Sequence, residues 1–326
     1  MEENTTLQPN AFETMSNTIQ NIKDEISKVV IGQDALIDML LVGIIAKGHL
    51  LVEGVPGVAK TLTAKLLAQC IHADFSRIQF TPDLMPADVL GTSVFNAQQQ
   101  VFEYKKGPIF GNIVLIDEIN RAPAKTQAAL FEVMEERQVT NDGHTHKMGN
   151  PFMVVATQNP IEQEGTYRLP EAQLDRFLFK LEVTYPGLQD EISMLQAANS
   201  NKLGDHALQS VKPVVTAAEI IALQDKAEQV FVEEHIIRYI VHLVKATREN
   251  GSLFMGASPR ASIAVLASAK AYALVAGRDF VTPDDVVTVV PAILRHRIVL
   301  TPEREMEGIT TNDVIAEILK SVEVPR

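Results

Sequence analysis

Gly54-Val-Pro-Gly57-Val-Ala-Lys60-Thr61 follows directly on the apolar run from His49 to Val52 and opens a stretch of helical character. A strand that hands a glycine-rich turn to a helix N-terminus calls for a parallel sheet with helices packed on it. Backbone N–H groups in such a turn point inward as a cradle for the phosphates of a nucleoside triphosphate. A lysine adds a mobile positive charge, and a hydroxyl completes the shell of Mg²⁺. Here those places fall to Lys60 and Thr61. Ala59 stands where such loops usually carry glycine, and the methyl group meets no barrier if that residue takes negative φ. Taken alone, the segment also reads as an ordinary strand-turn-helix corner, so a second motif has to decide.

Asn112-Ile-Val-Leu-Ile-Asp117-Glu118 supplies it. The apolar run predicts a buried parallel strand, and its C-terminal tip, where open α/β sheets keep their sites, carries two adjacent carboxylates. In phosphoryl transfer Asp117 is suited to hold Mg²⁺ through its water shell, and Glu118 to orient and deprotonate an attacking water.

The 326 residues suffice for two domains of ordinary size, and a hydrophobic share of 46% gives an ample core. The longest apolar run, Met39 to Ala46, is too short to span a bilayer, and the acidic start Met-Glu-Glu-Asn-Thr-Thr is unlike a secretory signal. A cytoplasmic protein is expected. The single cysteine, Cys70, cannot form an internal disulfide and reads as a small buried hydrophobe. A net charge of −12 argues against broad nucleic-acid binding, and Lys105-Lys106 and Arg295-His-Arg297 read as solvated or intramolecular positions.

Apolar residues at Phe12, Met15, Ile19, Ile22, Ile26 and Val29 predict a leading helix after a disordered tip. Ile31-Gly32-Gln33 breaks the pattern, and Asp34 is placed to cap a second helix running to about Ala46. Strands are expected at His49–Val52, Phe75–Gln79, Ile113–Asp117, Phe152–Thr157 and Leu178–Val183, with helices near Thr61–Ile71 and Lys125–Glu135. Two hairpins interrupt the alternation, one between Gly91 and Gly107, the other turning at Asn141-Asp-Gly143. His144 and His146 alternate on the latter and read as exposed strand histidines. From about Tyr185, with Pro186-Gly187 as hinge, the chain reads as helices only. The expected organisation is a core over 1–185 and a helical domain over 186–326.

Asn159, after the strand Phe152–Thr157, is placed to hold the attacking water or the γ-phosphate, although Asn-Pro is also a common turn. Arg176, next to last in the segment Leu169–Phe177, also reads as a surface arginine paired with a nearby acid. Ser258-Pro259-Arg260 announces a helix start, an electropositive end where an arginine needs an anion. A phosphate at the seam between the domains, or a nearby acid, would supply it.

These residues together resemble the AAA+ superfamily of ring-forming ATPases, and more closely its MoxR family, from Ile31 to about Leu300. The carriers are Ile31-Gly-Gln33, Glu53–Thr61, Leu115–Pro123, Ala156-Thr-Gln-Asn-Pro160, Leu169–Phe177 and Gly256-Ala-Ser-Pro-Arg260. The resemblance implies a P-loop AAA+ α/β core, a parallel sheet flanked by helices, followed by an all-helical lid. It also implies ATP and Mg²⁺ as ligands and an ATP-hydrolysing, chaperone-like activity in a homo-oligomeric ring of six. By the same resemblance Gly54, Val55, Pro56, Gly57, Val58, Ala59, Lys60, Thr61 and Leu62 form the Walker A cradle, and Asp117 and Glu118 the Walker B pair. Asn159 becomes sensor 1, Arg176 an arginine finger acting on a neighbour's ATP, Arg260 sensor 2, with Gly32 and Gln33 against the adenine. The hairpins match insertions of the subgroup that includes magnesium chelatase motors. Family members are thought to mature or insert metal cofactors in partner proteins, often ones with a von Willebrand factor A domain. Other readings are a nucleotide-gated assembly scaffold with incidental hydrolysis and a magnesium-chelatase-like motor subunit. A DNA motor suffers from the acidic balance, and a small-molecule kinase has no use for Arg260 or the hairpins.

Overall fold

The computed structural model describes residues 11–55, 57–159, 166–167, 169–200 and 205–325. Two helices lead, α1 (Ala11–Ser27) and α2 (Asp34–Ile45). Then come β1 (Leu50–Gly54), α3 (Lys60–Cys70), β2 (Phe75–Gln79), a short α4 (Pro86–Leu90) and the hairpin of β3 (Gly91–Asn96) and β4 (Val101–Lys106). β5 (Ile113–Asp117) and α5 (Ala124–Glu136) follow, then the hairpin of β6 (Gln138–Asn141) and β7 (His144–Lys147), β8 (Met153–Gln158), α6 (Glu171–Leu174) and β9 (Phe179–Val183). The rest is mainly helical: α7 (Leu188–Asn199), α8 (Asp205–Ser210), α9 (Ala217–Glu228), α10 (Glu234–Glu249), α11 (Pro259–Val275), α12 (Pro283–Leu294), α13 (Pro302–Met306) and α14 (Thr311–Ser321). Within it β10 (Leu253–Met255) pairs with β11 (Val299–Leu300), a ribbon too short to leave a periodic signal in the sequence. The disordered tip expected before the leading helix falls outside the described residues.

Five strands form one sheet in the order β2-β5-β8-β1-β9, and every pairing within it is parallel. Side chains alternate across it as the pleat requires. Leu50, Val52, Ile113, Leu115, Met153 and Val155 join a core with α1, α2, α3 and the C-terminal helices. Leu51, Val114, Ile116, Val154 and Ala156 join a second core with α5 and Phe177. Both faces are covered, which is why these strands are apolar throughout.

Cys70 is buried in the first core, and burial pushes its thiol up to about 12. The second helix begins at Asp34 itself. Gln33 precedes it without a side-chain cap and instead donates from Nε2 to the Thr184 carbonyl at 3.3 Å. In the hairpins, His144 is exposed as expected, but His146 is partly buried, stacked on Tyr104 at 4.4 Å. Asn141 Nδ2 donates to Ser93 Oγ at 2.7 Å beside this stack. The two insertions thus lean on one another, a contact that spacing within either hairpin could not reveal.

The helical lid is docked by buried polar groups as well as by apolar packing. Arg297, after α12, donates from Nε to Asp175 Oδ1 at 2.7 Å, and from its terminal nitrogens to the carbonyls of Phe177 at 2.7 Å and Leu178 at 3.1 Å. His296 beside it lies with Nε2 3.0 Å from the Phe177 carbonyl, and Arg295 pairs with Glu182 at 3.1 Å. A fully hydrogen-bonded buried arginine fixes geometry strongly, since removing a partner leaves an uncompensated charge. This cluster anchors the segment that carries Arg176.

His49, at the foot of β1, accepts the Val154 N–H at Nδ1 (2.9 Å), so its proton sits on Nε2, 3.1 Å from the Met134 carbonyl. Burial, helped by the charge of Arg137, lowers its pKa from 6.5 to about 3. Burial likewise holds His296 well below its usual value. Both are neutral when folded and become protonated on unfolding, so the unfolded chain binds more protons below pH 6.5. Stability is therefore complete above that pH and falls as pH drops, by up to about 1.4 kcal/mol per unit for each histidine. Chemical denaturation between pH 7.5 and 5 should show this loss, and His49→Gln should reduce the slope while lowering stability at pH 7.5. Equal slopes in the two proteins would rule the assignment out.

Candidate nucleotide site

β1 ends at Gly54, β5 at Asp117 and β8 at Gln158, and because the three strands are adjacent and parallel their C-terminal tips meet. A cavity of about 580 Å³ opens there, lined by Gly57 to Leu62, Asp117, Glu118, Thr157, Gln158 and Asn159. Two smaller cavities flank the cradle. Gly54 and Val55 line one of about 350 Å³ with Thr184 and Tyr185. Gly32 and Gln33 line another of about 370 Å³, with Met39, Thr184, Pro291 and Arg295. Gly32 has φ +74°, and a Cβ there would lie 2.7 Å from that of Asp190, so both conformation and space call for glycine. Pro56 lies outside the described residues.

Ala59 does not take the negative φ at which its methyl group would meet no barrier. It sits in the left-handed region at φ 60°, ψ 16°, immediately before the first turn of α3. The loop must reverse sharply to aim the helix N-terminus at the cavity, and this backbone demand overrides the side chain's preference. Lys60 folds back on its own loop, with Nζ donating to the carbonyls of Gly54 and, at 3.3 Å, Val55. Partial burial lowers its pKa, opposed by the charges of Asp117, Glu53 and Glu118.

Asp117 is buried and engaged on both oxygens. Oδ1 accepts from Thr61 Oγ1 at 3.3 Å and Thr157 Oγ1 at 3.2 Å, while Oδ2 accepts from Arg77 Nε at 2.7 Å. Glu118 adopts φ 57°, in the left-handed region, and its carboxylate accepts from Gln79 Nε2 at 2.9 Å and pairs with Arg121 at 3.0 Å. Its N–H donates to Thr157 Oγ1 at 3.1 Å. The hydroxyl of Thr61 and the carboxylate of Asp117 make a hard oxygen donor set of the kind magnesium takes.

Arg77, Gln79, Thr157 and Met194 also border the cavity and were not singled out from sequence. The first two lie two residues apart on β2, so they share a face of the strand hydrogen-bonded to β5, and period-two alternation could have flagged them once that pairing was assumed.

Arg176 and Arg260 lie elsewhere. Arg176 Nη1 donates to the Phe131 carbonyl at 3.1 Å and to Glu135 Oε2 at 3.2 Å. Arg260 approaches the same Glu135 at 3.7 Å and Asp175 at 3.8 Å. In this structure two acids answer its charge, one of the two anion sources the sequence left open. Glu135 lies in the last turn of α5, the Leu178 N–H donates to the His49 carbonyl at the foot of β1, and Arg137 donates to the Lys47 carbonyl. Both arginines therefore sit at the N-terminal edge of the sheet, about 16 Å of strand away from the cradle.

Comparison with known proteins agrees with this architecture. Residues 49–179 match the family model described as ATPase family associated with various cellular activities, and residues 245–318 match the AAA lid domain. The chain is 44% identical to Chaperone MoxR1 of Mycobacterium tuberculosis over 95% of this chain and 83% of that one. The chain belongs to the MoxR family of AAA+ ATPases. It is 48% identical to the Bacillus subtilis protein YeaC, over 93% of each chain. A crystal structure of a Cytophaga hutchinsonii protein, 43% identical, superimposes with a TM-score of 0.88 over 97% of both chains. Nucleotide binding, ATPase architecture and chaperone-like action are general to the family, and its members typically oligomerise. No helix among the described residues is long and apolar enough to cross a membrane.

Replacing Ala59 by glycine removes the methyl group from a left-handed residue, a relief of about 1 kcal/mol. Denaturant unfolding of Ala59→Gly should give a higher midpoint with unchanged slope. A lower midpoint would contradict the left-handed assignment.

Proposed function

We propose that this MoxR-family chain is a ring-forming motor that hydrolyses ATP at sites shared between subunits and uses the lid to remodel a partner protein during cofactor or metal maturation. One observation carries the reading: Lys60, Thr61, Asp117, Glu118 and Asn159 converge at one edge of the sheet while Arg176 and Arg260 wait, paired with acids, at the other. A single subunit cannot bring both sets to one phosphate. A second copy can, and repetition of that heterologous contact closes a ring, with six copies the family expectation.

In this reading Gly54 to Leu62 hold the phosphates, Lys60 exchanging its loop carbonyls for phosphate oxygens. Gly32 and Gln33 border the adenine. Thr61 and Asp117 would hold Mg²⁺, which neutralises charge on the β- and γ-phosphates. Glu118 leaves Gln79 and Arg121 to take a proton from water, and Asn159 orients that water. Arg176 and Arg260 of one subunit leave Glu135 for the phosphate of the next. Arginines supplied in this way neutralise charge that develops in the transition state, on the order of 10³ to 10⁵ in rate. The core extends to Tyr185 and the lid begins at Pro186, which lets movement of α12 against Gly32 and Thr184 report nucleotide to the lid.

The client would be a metalloprotein or a protein with a von Willebrand factor A domain; the likeness to a relative named as a chaperone supports a protein client. A gated scaffold is the second reading, favoured by the engagement of Glu118 with Gln79 and Arg121 in the isolated subunit. Specific ATPase activity that rises with protein concentration supports the motor, and a flat, negligible rate supports the scaffold. Lys60→Ala should abolish nucleotide binding, and Glu118→Gln should bind without turnover. Arg176→Ala should lose at least about a hundredfold in rate and recover in part when mixed with Glu118→Gln subunits. Full activity of Arg176→Ala alone would remove the trans arginine from the mechanism.

A further inference from the structure

The Asp117 carboxylate already has a cation on it. Arg77 and Gln79 project from β2, the strand paired with β5, in a register that sets Gln79 opposite Asp117. Arg77 Nε stands 2.7 Å from Asp117 Oδ2, and both Thr61 and Thr157 hydroxyls are on Oδ1. The Asp117 side chain is 9% exposed and that of Arg77 is 56% exposed. A carboxylate so placed is costly to leave without a counter-charge. Its partner reaches in from the solvent side on a long, mobile stem, from a strand at the edge of the sheet.

We propose that Arg77 is a counter-ion latch on Asp117: it stands in for the metal in the magnesium-free site, must yield when Mg²⁺ arrives with nucleotide, and so sets the magnesium concentration at which the site loads. The inference rests on the reading that Thr61 and Asp117 hold Mg²⁺. Its physical basis is competition of two cations for one carboxylate. A guanidinium cannot shed its proton in this range, so it cannot make room by becoming neutral. It has to move. Because the arginine is more than half exposed, its hold is modest, as for other solvent-facing ion pairs. That suits a latch, since a buried pair of full strength would exclude the metal altogether. The remaining charges at the cavity leave this role to Arg77: Lys60 is turned to the carbonyls of Gly54 and Val55, and Arg121 to Glu118.

The test is a magnesium titration of the full chain with a fluorescent ADP analogue, comparing wild type with Arg77→Met, which keeps the aliphatic stem and removes the charge. The half-saturating Mg²⁺ concentration should fall about two- to fivefold, the range an exposed ion pair supplies. Binding of the analogue in EDTA should stay unchanged, and Arg77→Lys should lie nearer wild type. An unchanged or raised half-saturation point overturns the latch. So does an equal loss of binding in EDTA, which would make Arg77 a phosphate ligand instead. If Arg77→Met lacks a cooperative melt, Arg77→Gln takes its place with the same expected shift. Asp117→Asn separates the two levels. If it leaves the magnesium dependence of the wild type intact, the metal assignment itself is wrong. If it removes that dependence while Arg77→Met shifts nothing, the metal assignment stands and only the latch falls.

Discussion

Everything about this chain's site follows from a sheet whose strands all run the same way. Parallel strands gather their C-terminal tips on one edge and their N-terminal feet on the other, and each following helix runs back across the face. The cradle after β1, the carboxylates after β5 and Asn159 after β8 meet because β8 lies between β1 and β5 in the sheet. The same rule carries α5 back to the opposite edge, where its last turn presents Glu135 to Arg176 and Arg260. One constraint concentrates the phosphate-facing groups and separates them from the arginines, and the separation makes assembly part of the proposed chemistry.

Apolar packing covers both faces of the sheet, but three buried polar joints fix its details. Asp117 ties β5 to α3, β8 and β2 through Thr61, Thr157 and Arg77. His49 ties the foot of β1 to β8 and to α5. Arg297 ties the lid to the segment that holds Arg176. Such groups are stable inside only when their partners are in place, so each rewards a single arrangement of the elements around it. The joints also connect stability to function, because the nucleotide-facing and arginine-bearing regions are each held by one of them.

The strands β2 and β5 were legible to their end residues, and so were the presence of both hairpins and the mainly helical character of the lid, because apolar period and turn chemistry are local properties. The resemblance to AAA+ proteins was legible for the same reason, being carried by short contiguous motifs. What was not legible lies in a strained local turn and in places where distant segments meet. The sequence left the φ of Ala59 conditional, and the turn into α3 sets it positive against the residue's own preference. For Arg260 a phosphate and a nearby acid were both open from sequence, and Glu135, from another element, is the acid that reaches it. His146 read as exposed until Tyr104 of the other hairpin covered it. Arg77 carries no motif, Thr157 had no role of its own within Ala156–Pro160, and both gain importance through their distance from Asp117.

The sequence by itself thus determined the class of fold, the phosphate-binding loop with its acidic partner, and the family. Each is written in residues close along the chain, whose backbone and side-chain preferences act before any tertiary contact forms. Only the tertiary structure decided which side chains share Asp117, which acids hold Arg176 and Arg260, and that these arginines stand across the sheet from the cradle. Those facts depend on strand order and on the direction in which each helix returns. No local preference encodes either, because both are settled by burying two apolar faces of one sheet at once.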